Sequence, residues 1–373
     1  MTQRQRILSV YQGQIPDVVP YMLDLSHWYY HKFKKPWDLS ISYLKPESAL
    51  IDYHRRMEVG FYLANLASFF NVTYGNGVVA SVKRTDTKSG PEIKWTFETP
   101  IGTISRTRVW EDVSYSWAIR EFSLKTEHDL KVLAYALGSK QFTPAWDRYQ
   151  QWVNEVGDLG VVYMSPSYSA MGELLSMWMG IEQTMFAVAD WPDTMHKAVE
   201  QINTTWLRLI DLLAQSPAEI ALLHDNFSSD IQSPRFFNTW SRSWYAEAVR
   251  RLHRAGKFVA IHLDGRLRGL LKTFAEIGID CIDATTPKPM GDLTPIECRD
   301  EGGPNLILSG GIAPNLWTSS VSDEAFEKAV FDWLDLRKRS PRLIANAGDQ
   351  VPPDACEHRI LRMREMVEKF GRY

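Results

Sequence analysis

Two segments of the chain end an apolar, strand-like run at side chains that can bind a metal ion or carry a proton. Residues 258–265 contain His262 and Asp264, and residues 343–353 contain Asp349. Residues two apart on a strand face the same side, so a strand that continues through this point places His262 and Asp264 together. Such a pair can share a metal ion or a proton. The structural alternative is a buried histidine satisfied by a neighbouring carboxylate.

Composition limits the classes of protein to which the chain can belong. It has 373 residues, 45% of them hydrophobic, and a formal net charge of −3. This can bury a sizeable core, either of one large barrel-type domain or of two ordinary domains. No basic run interleaved with aromatic residues occurs, which argues against a nucleic acid or an anionic membrane as partner. The polar amino terminus leads into helical sequence, and no apolar stretch approaches the roughly 18 residues needed to cross a bilayer. We therefore expect a soluble, cytoplasmic protein.

The cysteines point to neither a disulfide framework nor a thiolate zinc site. Cys281, Cys298 and Cys356 are odd in number and show no Cys-x-x-Cys spacing. Reduced thiols are therefore expected.

Apolar, β-branched runs alternate with amphipathic stretches, the pattern typical of repeated βα units. Seven strands are predicted, at residues 18–24, 161–165, 220–225, 258–264, 281–285, 306–309 and 343–346. An eighth at residues 71–79 would complete a closed barrel. Helices are predicted at residues 46–64, 191–215, 234–255, 267–276 and 323–338.

One region departs from this alternation. Residues 92–110 alternate polar and apolar side chains on either side of a turn at 99–102, which predicts an antiparallel hairpin inserted into the barrel. No internal repeat, low-complexity tract or Gly/Ser linker occurs, so residues 1–373 are interpreted as a single domain.

Polar side chains stand at the ends of most predicted strands. In a parallel barrel the carboxyl ends of the strands open onto one mouth, where active sites of this architecture lie. Several carboxylates and one histidine are therefore expected to converge on a single pocket. The residues at these ends are Asp24, Ser165, Asp225, Asn226, His262, Asp264, Thr285, Thr286, Asn346 and Asp349.

The order of several short motifs resembles the uroporphyrinogen decarboxylase superfamily, and within it the corrinoid-dependent methyltransferases. The resemblance covers nearly the whole chain and implies an α/β fold, the (β/α)8 TIM barrel. The motifs that carry it are Asp17-Val-Val-Pro20 after an opening helix, the proline-containing loop 165–172, the acidic strand end Leu223-His-Asp225-Asn226, and the closing landmarks 291–293 and 308–314.

The same resemblance implies a metal site. In the methyltransferase branch, a His-x-Cys after a strand and a Cys in a Gly-Cys-x-x-Pro-Pro loop bind zinc. The corresponding positions here are His262, Asp264 and Asp349, so carboxylates stand where that branch has thiolates. A histidine and two carboxylates suit a divalent ion, but without sulfur the preference for zinc weakens, and manganese, iron or no metal stay open. In the last case the two aspartates hold a hydrogen-bonded pocket, one of them protonated because like charges crowd there.

The opening segment differs from that of the decarboxylase branch. An arginine-rich loop that pairs the carboxylates of a tetrapyrrole is replaced here by residues 22–30, which are acidic and aromatic and favour a neutral or aromatic ligand. Ordinary core packing remains the simpler explanation for most of the aromatic residues. The aromatic pocket candidates are Trp28, Tyr29, Tyr30, Tyr74, Trp178 and Phe227, and the residues predicted to bind substrate are Trp28, Tyr74, Tyr163, Asp225 and Asn226.

We therefore expect an enzyme, a corrinoid-dependent methyltransferase that takes part in O-demethylation of a methoxy, possibly aromatic, compound. His262, Asp264 and Asp349 would activate the oxygen, and Asp24 or Asp225 would orient it. The chain has no recognisable corrinoid-binding module, so the corrinoid would arrive on a partner protein.

Three other functions stay open. Methyl transfer from a methyl-corrinoid to tetrahydrofolate would use the same mouth. A cofactor-free decarboxylase or lyase would need a cationic cluster there, for which Arg266, Arg268 and Lys288 are the nearby basic residues. A non-catalytic small-molecule sensor is disfavoured because buried polar groups without a role are costly.

Overall fold

The computed structural model describes residues 1–35, 37–40, 43–64, 66–166 and 168–373. The helices, α1 to α14 in chain order, are Gln3–Tyr11, Ser26–Lys32, Ser48–Met57, Glu127–Gly138, Trp146–Val156, Ala170–Glu173, Gly180–Asp190, Pro192–Ala214, Pro234–Trp240, Arg242–Arg254, Leu270–Glu276, Pro295–Gly302, Asp323–Asp335 and Glu357–Phe370. The strands, β1 to β13, are Met22–Leu23, Gly60–Phe61, Phe70–Tyr74, Val79–Thr87, Gly90–Thr99, Gly102–Glu111, Ser116–Ala118, Lys140–Pro144, Ile220–His224, Phe258–His262, Cys281–Thr285, Ile307–Ile312 and Leu343–Ala347. None of the helices in these ranges is both long and apolar enough to cross a bilayer.

Eight parallel segments close into a barrel. Strands β9 to β13 form one parallel sheet in the order β13-β12-β11-β10-β9, and β1 pairs in parallel with β2. The segment 160–164 stands between β2 and β9. The circle is closed by parallel bridges from Tyr21 to Ala345, Phe61 to Gly160 and Met164 to Ala221. The predicted (β/α)8 barrel is confirmed.

The predicted eighth strand at residues 71–79 is wrong. Strand β3 lies there, but it pairs antiparallel with β8 outside the barrel. The barrel strand is instead β2, inside the predicted helix 46–64, because α3 ends at Met57 and Glu58 adopts a left-handed conformation. A Cβ on Gly60 would lie 2.1 Å from the carbonyl oxygen of Tyr21, so glycine is what allows β2 to approach β1. Two residues are too few to show a periodic pattern.

The other predicted helices are present with shorter bounds, except that residues 234–255 form two helices. Helix α9 ends at Trp240 and α10 begins at Arg242. The Ser233 hydroxyl accepts a hydrogen bond from the Phe236 amide, as expected for a cap that precedes proline at the first helical position.

The insertion is larger than the predicted hairpin. Strands β5 and β6 form that hairpin, in register across Thr99 and Gly102, and β4 and β7 extend it to a four-stranded antiparallel sheet, called here the inserted sheet. Strand β4 is exposed along its length, whereas Ile93 and Phe97 of β5 are buried. One face of the inserted sheet therefore packs inward.

The barrel interior is filled by alternate residues of the strands. Ile220 and Leu222 of β9 point into it with Ala260 of β10 and Cys281 of β11, whereas Ala221 and Leu223 of β9 pack against the outer helices. All three cysteines are free thiols, as predicted.

Candidate active site

A polar layer caps the apolar barrel interior at the carboxyl ends of the strands. This layer arises because side chains alternate along each strand. The next inward-facing residues after Leu222, Ala260 and Cys281 are His224, His262 and Asp283, all polar. Strands β9, β10 and β11 are in register at this level, so His262 lies beside His224 on one side and Asp283 on the other. The residues of the layer on β9 to β13 are His224, His262, Asp283, Ser309 and Asn346.

His262 is held as a cation by Asp283. Its Nδ1 donates to Asp283 Oδ2 at 2.9 Å, and the Tyr62 hydroxyl donates to the same carboxylate. Burial by itself lowers the pKa of His262, but the hydrogen bond to Asp283 and the charges of Asp283, Asp264 and Asp349 raise it to about 9. The imidazolium therefore keeps its proton at neutral pH, and only Nε2 is left to face a ligand.

Asp349 lies on the other side of His262, on the loop that follows β13. Its Oδ1 is 3.9 Å from His262 Nε2, and burial raises its pKa to about 6, against the lowering effect of His262. Although 38% of this side chain is exposed, it faces the concave mouth, where protein has replaced much of the bulk water. The loop is fixed by the Gly348 amide, which donates to Ile312 O at 2.7 Å, and by the Thr286 hydroxyl, which donates to Gly348 O.

Asp24 supports that loop from below. Its carboxylate accepts hydrogen bonds from the Ser26 amide and hydroxyl at 2.9 and 2.6 Å and from Gln350 Nε2 at 3.1 Å, and its carbonyl accepts from the Val351 amide at 3.0 Å. Asp24 is 2% exposed. It positions the Asp349 loop and does not face the mouth.

His224 is the neutral neighbour of His262, with ring centroids 5.8 Å apart. Burial and the charge of His262 lower its pKa to about 3. Its Nδ1 is hydrogen-bonded to Ser165 Oγ at 2.5 Å, while its buried Nε2 has no partner in the described part of the chain. The next residue, Asp225, points elsewhere and accepts hydrogen bonds from Ser169 and from the Tyr245 hydroxyl.

These groups open into a cavity of about 570 Å³ at the barrel mouth. The inserted sheet forms the opposite wall, and its cavity face presents Trp95, Arg106 and Arg108. Aromatic rings from other segments complete the lining, namely Trp37, Tyr43 and Tyr168. A wall of rings and two guanidinium groups thus faces the histidines and aspartates of the barrel.

The structure separates the predicted site residues into two groups. His262, Asp264, Asp349 and Asn226 line the cavity. The others do not line it: Asp24 and Asp225 are engaged as described above, Trp28 donates to Ala355 O, Tyr74 packs on Phe97, and Tyr163 lies lower in the barrel, where its hydroxyl donates to Tyr11. Of the remaining aromatic candidates, Tyr29, Tyr30, Trp178 and Phe227, none lines the cavity.

The three predicted metal ligands share the cavity but do not form a metal centre as they stand. Among the residues that the structure describes, no group of three or more His, Cys, Asp or Glu side chains could hold one ion. His262 Nδ1 donates to Asp283, and its Nε2 lies 3.9 Å from Asp349 Oδ1. The arrangement fits proton donation rather than a three-ligand metal site.

The basic residues expected near the barrel mouth do not line the cavity. Arg266 pairs with Asp230, Arg268 with Asp292 and Glu297, and Lys288 with Glu297, and all three cations lie outside the cavity. Besides His262, the cations among the described residues that line the cavity are Arg106 and Arg108, which sequence reasoning missed. Asp283 was missed as well, although a carboxylate inside the apolar run 281–285 is a recognisable signal, since a buried charge requires a partner.

A second, larger cavity of about 730 Å³ lies at the other end of the barrel. Its lining includes Val59 and Leu159, which precede the barrel segments at 60 and 160, so it lies at the amino ends of the strands. Several of its charged groups neutralise each other, as Arg6 does with Glu368. The site is therefore assigned to the carboxyl ends, where the polar layer lies.

Comparisons with known proteins agree with this fold. Residues 168–370 match the family model described as Uroporphyrinogen decarboxylase (URO-D). The solved structure of a methyltransferase from Methanosarcina mazei superposes with a TM-score of 0.61 and 12% identity over 99% of each chain. That of a Bacteroidetes-affiliated GH5 cellulase reaches a TM-score of only 0.37 at 12% identity over 61% of this chain and 76% of its own. No curated protein matches the sequence.

Proposed function

The chain belongs to the uroporphyrinogen decarboxylase family, and on that premise we propose that it is a corrinoid-dependent methyltransferase acting on a methoxy compound. The methyl group moves between the methoxy oxygen and a corrinoid on a partner protein. One observation supports the proposal: His262, whose pKa is raised to about 9, lines a cavity of about 570 Å³ together with aromatic rings.

Demethylation of an ether needs help at the oxygen. The bond between the methyl carbon and oxygen breaks, its electron pair stays on oxygen, and the resulting oxyanion is a poor leaving group unless it is protonated. The corrinoid is the second substrate and supplies the nucleophile that takes the methyl group. His262 Nε2 donates the proton to the departing oxygen, so the products are a methylated carrier and a neutral hydroxyl compound.

The neighbours of His262 prepare it for this step. Asp283 fixes the ring through Nδ1 and stabilises the imidazolium, as a carboxylate does for the histidine of a catalytic triad. Asp349 lies 3.9 Å from Nε2, close enough to stabilise the positive charge and far enough to leave the proton available. His224 is neutral and lies beside His262, and its buried Nε2 has no hydrogen-bond partner among the described residues. We derive no step through a metal, because the described side chains do not form a set of ligands.

A spectroscopic assay tests the proposal. The protein is mixed with a cob(I)alamin-loaded carrier and a panel of methyl ethers, both aromatic and aliphatic, and formation of the methyl-cobalt band is followed. We expect the band with at least one aromatic ether, at a rate proportional to enzyme concentration. Absence of the band with every ether, and of methyl transfer from methyl-corrinoid to tetrahydrofolate in the reverse assay, would overturn the proposal.

A second candidate, cofactor-free decarboxylation, is favoured by Arg106 and Arg108. They supply the cationic cluster that a carboxylate substrate requires, and His262 could then protonate the carbanion left after loss of carbon dioxide. Release of carbon dioxide from aromatic acids that carry no methoxy group, without any corrinoid, would favour this candidate over methyl transfer.

A further inference from the structure

The guanidinium group of Arg106 has no anionic partner among the residues that the structure describes. It makes no hydrogen bond or ion pair with any described residue, and its Nε and Nη1 are buried without a partner. A buried charge in this state is costly, so an unpaired arginine is rare unless a ligand completes it. Arg106 lines the cavity, which gives a ligand access to it.

Packing holds this guanidinium in place without satisfying it. Trp95 and Trp178 lie against it, with ring centroids 5.1 and 5.0 Å from its central carbon. Trp95 is also the register partner of Arg106 across β5 and β6. Aromatic rings that pack on a guanidinium leave its N–H groups available, and those N–H groups form a fork that matches the two oxygens of a carboxylate.

Arg108 adds a second positive charge on the same face. It is two residues further along β6, so the alternation of side chains places it beside Arg106. Its Nη1 and Nη2 donate to the carbonyl of Trp117 at 3.3 Å and to Met177 Sδ at 2.9 Å, both neutral. Its Nε is buried and has no partner in the part of the chain that the structure describes. Burial and the charge of Arg106 lower the pKa of Arg108 to about 10.

One acidic side chain lies near the two arginines but does not neutralise both of them. Glu173 is close enough to affect Arg106 and Arg108 electrostatically, but it forms no ion pair with either, and its Oε2 accepts from Trp178 Nε1 at 3.1 Å. It also acts electrostatically on the partly buried Lys140, so one carboxylate lies near three cations. The inserted-sheet side of the cavity therefore carries more positive than negative charge, while the carboxylates of Asp264 and Asp349 lie on the barrel side.

We propose that Arg106 and Arg108 form a carboxylate-binding subsite, so that the substrate is an aromatic acid carrying a methoxy group. This rests on the proposed function for the reacting group, but the subsite concerns the non-reacting end of the molecule. The inserted sheet binds the carboxylate, the aromatic lining packs on the ring, and the methoxy group reaches the polar layer of the barrel.

Direct binding tests the subsite without any methyl transfer. Calorimetric titration compares 4-methoxybenzoate with its neutral isostere 4-methoxybenzamide. We expect the acid to bind the native protein about tenfold or more tightly than the amide, as charge-assisted hydrogen bonds provide. The preference should fall to within about twofold in Arg106→Gln and weaken in Arg108→Gln.

A matched control removes a cation from the other face of the same sheet. Lys94 on β5 is exposed and does not line the cavity, so Lys94→Gln should keep the full preference for the acid. If Arg106→Gln does not fold, Arg106→Lys is tested in its place. Lysine keeps the positive charge but lacks the paired N–H groups of the guanidinium, so this variant should prefer the acid over the amide to an intermediate degree.

Two results would overturn the subsite: equal binding of acid and amide to the native protein, or an undiminished preference in the Arg106 variants. Failure of the proposed function looks different. Acid-selective binding with no methyl transfer would support the subsite and reject the methyltransferase. Equal methyl transfer from acid and neutral ethers, with no acid-selective binding, would support the methyltransferase and reject the subsite.

Discussion

The principal charged groups on the two walls of the cavity, His262 on the barrel and Arg106 on the inserted sheet, differ in how completely the protein pairs them. On the barrel wall, His262 is bonded to Asp283, which also accepts from the Tyr62 hydroxyl. On the inserted sheet, Arg106 is held by indole rings and has no polar partner among the described residues. His262 is therefore oriented by the protein before a ligand enters, whereas two nitrogens of the Arg106 guanidinium have no partner among the described residues.

This difference separates two tasks. Groups that act on a bond must already be oriented, and their hydrogen bonds are made within the protein. Groups that select a ligand gain most when the ligand supplies their missing partner. Substitutions on the barrel wall should therefore reduce turnover and stability together, whereas those on the cavity face of the inserted sheet should reduce affinity without loss of stability.

The largest effect is expected at the barrel wall, from His262→Gln. Glutamine can accept or donate a hydrogen bond but cannot give up a proton, so kcat should fall by about 10²- to 10⁴-fold in the methyl-cobalt assay. The KM for 4-methoxybenzoate should change little, because its carboxylate is bound by the other wall. His253→Gln is the control: His253 pairs with Asp280, at the amino end of β11 and away from the cavity. Equal losses of activity in the two variants would contradict the assignment of His262 as proton donor.

Asp283→Asn should have the next largest effect, on stability and its pH dependence. Breaking a buried ion pair should lower the free energy of unfolding by about 3 kcal/mol at pH 7. In the native protein the pKa of His262 is raised from 6.5 to about 9, so its contribution to stability is fully present below pH 6.5 and is lost as the pH rises through 9. Urea titrations between pH 6 and 10 should show this alkaline loss in the native protein and a smaller one in Asp283→Asn.

An independent readout is the NMR titration of the imidazoles. His262 should titrate near pH 9 and His224 near pH 3, and in Asp283→Asn the pKa of His262 should fall. An unchanged His262 titration in that variant would show that the raised pKa has another source.

The residues of the barrel wall could largely be predicted from the sequence, because each is marked by the short apolar run that precedes it. An apolar run that ends at His262 and Asp264, or at Asp349, places those side chains at a strand end, and the architecture gathers strand ends at one mouth. Asp283 could have been found by one further step of reasoning. Side chains alternate along β11, so Asp283, two residues after the inward-facing Cys281, also faces the barrel interior. The same alternation explains why Asp225 does not line the cavity. It directly follows the inward-facing His224, so its side chain points to the opposite side of the strand.

The inserted sheet was predicted in its hairpin but not in its role. The alternation at residues 92–110 fixes β5 and β6 locally, yet no local pattern states which face of the sheet turns towards the barrel. Arg106 and Arg108 therefore resembled ordinary exposed arginines. Strand β2 was missed for a related reason, since its position depends on the close approach of Gly60 to Tyr21 rather than on its own two residues.

The smallest effect, and the most direct test of the difference between the walls, comes from the same substitution at two arginines of the inserted sheet. Arg84 on β4 pairs with Asp38 at 2.6 Å and is 38% exposed, so Arg84→Gln should lower the free energy of unfolding by less than about 1 kcal/mol. Arg106→Gln removes a charge that has no partner among the described residues, and it should raise the free energy of unfolding by about 1 kcal/mol, because the relieved desolvation exceeds the lost packing on Trp95 and Trp178. Saturating 4-methoxybenzoate should reverse the order of native protein and Arg106→Gln in thermal melts, since only the native protein gains from the ligand. A loss of stability in ligand-free Arg106→Gln would mean that the guanidinium is held for packing, and the two walls would then not differ as described.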